Sequence, residues 1–109
     1  MQVAFNNTKY LDELHQHSQK HPLSEKNWHV WSKIMHTHFL RIASSEDQKQ
    51  INEIKIDKCN INEGCFIFFD DSHENFVIVA WDEVDVEEIV MKVSDKLDIA
   101  PQNDALSRL

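Results

Sequence analysis

The sequence predicts an α+β fold, helices packed on a small antiparallel sheet, and three observations carry that prediction. Two blocks, CFIFF (65–69) and FVIVAW (76–81), are apolar on both parities, as strands are when both faces of a sheet are covered. Residues 28–42 and 86–97 repeat apolar side chains at helical spacing behind clear start signals. The connections NINEG and DDSHEN are too short for parallel crossovers, so a three-stranded antiparallel meander is expected.

The first helix is expected over residues 8–20. Tyr10, Leu11 and Leu14 share one face and Asn7 or Thr8 can cap it. His21-Pro22 ends it, because the residue before a proline disfavours the helical region. The second helix has Ser24 as N-cap, Glu25 where the helix dipole favours an anion, and Leu23 with Trp28 as a hydrophobic staple. Its core stripe is Trp28, Trp31, Ile34, Met35, His38, Phe39 and Ile42, and it should end near Ala43.

SSEDQKQ reads as a polar connection. NEIKIDKC then alternates Ile54 and Ile56 with Lys55 and Asp57, the pattern of a strand with one wet face at a sheet edge. CFIFF and NFVIVAW supply the other two strands. The last helix has Asp85 as cap, Glu88 completing a capping box, and Val84 with Ile89 as a staple. Val86, Ile89, Val90, Val93 and Leu97 form its core stripe, with Glu87 and Glu88 near the positive end of the dipole and Lys92 and Lys96 near the negative end.

The expected order is therefore α-α-β-β-β-α, with MQVAF a candidate for a short extra strand. Residues 1–100 should form one domain and 101–109, behind Pro101, a loose tail. Two helices can cover one sheet face, and the single C-terminal helix only part of the other. Either helices sandwich the sheet, or part of the second face is an interface, as in a homodimer.

An apolar fraction of 41% and a charged fraction of 28% describe a soluble globular chain and exclude a disordered one. No window approaches 18 consecutive apolar residues, which excludes a membrane-spanning helix. The start, MQVAFNNTKYLDEL, has neither the basic nor the apolar segment of a signal peptide, so a cytoplasmic location is expected. Cys59 and Cys65 are too few for a disulfide framework and too far apart for a CxxC site; two free, buried thiols are expected.

Charge is distributed unevenly. Residues 1–58 carry a net +1 and residues 59–109 a net −9, and between Cys59 and Met91 nine acids stand without one lysine or arginine. Such a half repels nucleic acid and anionic membrane and favours a basic partner. Antiparallel pairing places the acids at two poles: Asp70, Asp71 and Glu74 at the hairpin tip, and Asp82, Glu83, Asp85, Glu87 and Glu88 at the far end of the last strand. The tip is read as a wet, mobile turn whose groups titrate normally, in a position suited to protruding contacts. Asp85, Glu87 and Glu88 suit a helix N-terminus, which leaves Asp70, Asp71, Glu74, Asp82 and Glu83 without a local role. Phe76 and Trp81 are the adjacent candidates for apolar anchors.

Six of the seven histidines lie in residues 15–38, and His17 and His21 are an i, i+4 pair. No HExxH or paired CxxC accompanies them, and His15 and His17 point to different sides of a helix, so surface histidines are preferred over a metal site. The chain has one glycine, hence no glycine-rich phosphate loop, and no histidine near Cys65 in sequence to activate a thiol. No catalytic residue and no cofactor are expected.

At the level of class alone, a small, acidic, single-domain chain resembles inhibitor proteins such as immunity proteins for nuclease toxins and phage-encoded anti-defence proteins. That resemblance implies occlusion of the basic cleft of a nuclease or nucleic-acid-binding effector, without direct contact to nucleic acid or membrane. The alternatives are a secretion-type chaperone, dimeric and binding an effector segment over apolar grooves, and a histidine-based metal-binding protein.

Overall fold

The central element is the strand Phe76–Ala80, in which all five side chains are buried. Five successive buried residues need apolar cover on both sides of the sheet, and two layers of helices provide it. A computed structural model describes residues 1–41, 44–56, 59–61 and 65–99. In chain order the elements are β1 (Gln2–Phe5), α1 (Leu11–Lys20), α2 (Trp28–His38), β2 (Leu40–Arg41), α3 (Ser45–Asn52), β3 (Lys55–Ile56), β4 (Cys59–Asn60), β5 (Cys65–Phe69), β6 (Phe76–Ala80) and α4 (Val86–Leu97).

The main sheet has four antiparallel strands in the order β1-β6-β5-β2. Register decides which side chains share a face. Ala4, Ile78 and Ile67 lie abreast, as do Val3, Val79 and Phe66 one residue along, on the opposite face. The first face, with Phe69, Phe76 and Ala80, packs against Val86, Ile89, Val90 and Val93 of α4 and against Ile51, Ile54 and Ile61. The second, with Phe5, Phe68 and Val77, packs against Leu14 of α1, Trp31 and Met35 of α2, and Phe39. The buried Trp31 indole donates to the His21 carbonyl at 2.9 Å, which satisfies its one polar atom.

The α+β class stands, and MQVAF, the candidate extra strand, contributes β1, an edge strand paired along its whole length with β6. Three other expectations are corrected. NEIKIDKC does not join the main sheet: β3 pairs with β4 in a separate ribbon, and Ile54 packs under α4 instead. SSEDQKQ is helical over α3, because the Ser44 side chain accepts from the Asp47 N–H at 3.0 Å and Ile51 anchors the helix in the core. The second helix begins at Trp28, not after Ser24, whose hydroxyl instead accepts from the Asn27 N–H within a turn at 3.3 Å. It stops at His38, and Phe39 is already extended as the chain turns into β2.

The last helix matches expectation. Asp85 caps it by accepting from the Glu88 N–H at 3.2 Å, and Val86, Ile89, Val90 and Val93 are buried. With α3 and α4 together on one face and α1 and α2 on the other, the sheet is sandwiched. The end of α2 at His38 thus replaces the one expected near Ala43, while the centre of the NINEG turn and the tail 101–109 lie outside the described residues.

Candidate partner-binding surface

The two acidic poles sit at opposite ends of β6, about 17 Å apart along a five-residue strand. They are built differently. At the tip, Asp70 is 3% exposed and is a structural acceptor. Its carboxylate receives hydrogen bonds from Asn75 Nδ2 at 2.6 Å, Ser72 Oγ at 2.7 Å and the Tyr10 hydroxyl at 3.1 Å, with Lys9 Nζ at 3.6 Å. Burial alone would raise this carboxyl, but the bonds from Ser72, Asn75 and Tyr10 outweigh it and hold the pKa at about 2.

The residues following β1 complete the tip. Asn6 accepts from the Phe76 N–H at 2.8 Å and donates to the Glu74 carbonyl at 2.8 Å, and Asn7 donates to the Asn75 side chain. His73, in the left-handed region at φ 60°, meets Asp47 of α3 at 2.8 Å and stacks on Phe69. The expectation of a loose tip whose groups titrate normally is therefore corrected at Asp70, and five polar residues from two other parts of the chain bind the tip: Asn6, Asn7, Lys9 and Tyr10 after β1, and Asp47 of α3. Of the tip residues singled out by sequence, Asp71 and Glu74 are exposed, whereas Asp70 and Phe76 point inward, Phe76 into the core.

The other pole faces outward. Trp81 is 37% exposed, and Asp82, Glu83, Asp85, Glu87 and Glu88 are all exposed around it. Gln2 holds this segment: its side-chain amide donates to the carbonyls of Val84 at 2.6 Å, Trp81 at 2.8 Å and Asp82 at 3.3 Å. The N-terminal ammonium pairs with the Asp82 carboxylate at 2.8 Å, and Glu88 with Lys92 at 2.9 Å. Gln2 was not singled out by sequence, and its place opposite Ala80 in the β1–β6 register is what brings it there.

Cys65 is a free, buried thiol that donates to the Ile61 carbonyl at 3.3 Å, and burial pushes its pKa to about 12, which suits an inert packing role. The Cys59 side chain lies outside the described residues. Among the histidines, His21 closes α1, its backbone N–H donating to the His17 carbonyl at 2.9 Å. His17 instead approaches His38 of α2, together with Glu13. Comparison with protein-family models, with curated proteins and with solved structures finds no match to this chain. Among the described residues no helix is long and apolar enough to cross a membrane.

Proposed function

We propose that the chain is a small acidic inhibitor that docks its 81–88 pole on the basic surface of a nuclease or nucleic-acid-binding effector, in the manner of toxin immunity or phage anti-defence. One observation carries the reading: an exposed tryptophan, Trp81, stands among five outward carboxylates on a segment clamped by Gln2. Carboxylates around an aromatic anchor give both parts of such an interface. The charge steers a basic partner into encounter, and the ring supplies central apolar contact. A segment already held by three hydrogen bonds loses little freedom on binding.

The geometry weights the poles unequally. The tip offers only Asp71 and Glu74, since Asp70 is committed to its own donors and Phe76 to the core. The chaperone alternative, with its apolar grooves, finds less support than the acidic pole gives the inhibitor reading, since α3 and α4 lie over the sheet face that a partner segment could have used. The reading assigns no catalytic residue.

Association rates with basic nucleases and nucleic-acid-binding proteins encoded beside this chain's gene test it. The rate should fall at least about tenfold between roughly 0.05 and 0.5 M salt and in the double variant Asp82→Lys/Glu83→Lys. Trp81→Ala should speed dissociation and cost about 2 kcal/mol of affinity, while Asp71→Lys/Glu74→Lys should change little. Binding that ignores salt, Trp81 and the charge reversal at 82–83 alike would refute the reading.

A further inference from the structure

We infer that Glu13, His17 and His38 form a binding site for a divalent transition-metal ion of the zinc type, on the α1/α2 layer and across the sheet from α4. Each offers one donor atom, and the three atoms lie within 4.8 Å of one another. Glu13 and His17 are one helical turn apart on α1, so they leave the same face of that helix. His38, the last residue of α2, meets them from the neighbouring helix.

The spacing fits a small tetrahedral ion. Bonds of about 2.0–2.1 Å to zinc put neighbouring ligand atoms roughly 3.3 Å apart. Glu13 Oε1 and His38 Nε2 already stand 3.2 Å apart. An ion pair between those two would need no third group, yet the His17 ring converges on them, 6.4 Å from the His38 ring, and makes no hydrogen bond of its own among the described residues. A half-buried imidazole whose ring has no hydrogen-bond partner among the described residues, beside a carboxylate and a second imidazole, makes a three-donor set that an ion completes.

The backbone under the site is anchored. Leu14, next to Glu13, and Phe39, next to His38, are both buried in the α1/α2 core, and Phe39 packs edge-on against Tyr10 at 4.7 Å. Only side-chain rotation is then needed to bring the longer separations to ligand distance. Two imidazoles and one carboxylate select zinc and its neighbours over magnesium or calcium, which prefer oxygen donors. Glu13 is exposed and His38 three-quarters covered. The open side therefore faces solvent, where water supplies the fourth ligand.

Calorimetric titration of the whole chain with zinc near pH 7, paired with thermal unfolding, tests the site. Wild type should take up one ion per chain, and at about a hundredfold excess over Kd its Tm should rise by roughly 10 °C. His17→Ala and His38→Ala should each weaken binding by at least about tenfold, and Glu13→Gln should weaken it in the same direction. His29→Ala and His36→Ala, exposed positions of α2 outside the cluster, should bind as wild type does. Magnesium should produce neither heat nor a Tm shift. Should His38→Ala fail to fold, the exposed Glu13→Gln and the half-buried His17→Ala decide the matter. Binding unaffected by these two, equal losses in the His29 and His36 controls, or no stoichiometric uptake would each overturn the assignment.

Discussion

Burial by itself would raise the pKa of the Asp70 carboxyl, and the donors around it reverse that effect. The consequence is a pH dependence of known sign. An unfolded aspartate titrates near pH 3.9 and the native one at about 2, so the folded state favours the ionised form. The stabilisation, about 2–3 kcal/mol, is complete above the unfolded value and is lost as pH falls through the native one. Asp70→Asn should therefore be less stable than wild type by about 2–3 kcal/mol at neutral pH. In urea unfolding, the gap between the two proteins should narrow as pH drops from about 4 toward 2. A constant gap would mean that Asp70 acts through packing alone. This residue also marks a limit of the sequence. DDSHEN displays the acids, but the partners that bury Asp70 include Tyr10, sixty positions away, and the asparagines that close the tip, Asn6 and Asn7, lie about as far off. No local pattern announces a network assembled by β1 pairing with β6.

At the scale of elements, what could be read in advance follows from where the determining contacts lie. The cap and stripe of α4 are contained in residues 85–97, so both were legible and both were found. The apolar parity of β5 and β6 likewise foretold cover on two faces. The helix α3 was misread because its polar run, SEDQKQ, hides a usable signal: Ser44 with Asp47 three residues on, and Ile51 as the inward residue. The site of Glu13, His17 and His38 depends on how α1 and α2 rotate against each other, which spacing within either helix does not reveal. The ends of α4 permit a direct test. Asp85 accepts from the Glu88 N–H at the start, while Asp98 closes the helix in the left-handed region at φ 55°. Asp85→Ala should cost about 1 kcal/mol through loss of the cap. Asp98→Gly should instead stabilise by roughly 0.5–1 kcal/mol, since glycine adopts that conformation without steric penalty. Thermal unfolding of the two variants should thus move Tm in opposite directions, and a destabilised Asp98→Gly would show that the aspartate side chain contributes more than its backbone costs.

Across the whole molecule, the two helical layers meet through the sheet, whose central strand β6 serves both at once. Ile78 faces α4 and its neighbours Val77 and Val79 face α1 and α2, so neither layer can lose its packing without exposing the strand that supports the other. The pairing of β1 with β6 joins the first residues of the chain to residue 80, which ties both layers to one long-range closure. Such shared support predicts a single cooperative unfolding transition. In a Trp81→Phe background, Trp28 and Trp31 report on the α1/α2 layer from within it, with Trp31 fully buried, whereas far-ultraviolet circular dichroism reports on all helices. Ile89→Ala, a truncation in α4 on the opposite face, should cost about 2–5 kcal/mol. If the layers are coupled through β6, that loss appears in full in the tryptophan fluorescence transition, which should coincide with the dichroism transition in both proteins. A variant in which dichroism melts early while the fluorescence midpoint stays at the wild-type value would show that the α1/α2 layer and β1 hold together without α4. The proposed inhibitor surface makes the answer matter, because the 81–88 segment joins β6 to α4 and is clamped by Gln2 of β1. Only a fold that opens as one unit keeps Trp81 and its surrounding carboxylates in a fixed arrangement until the whole molecule unfolds.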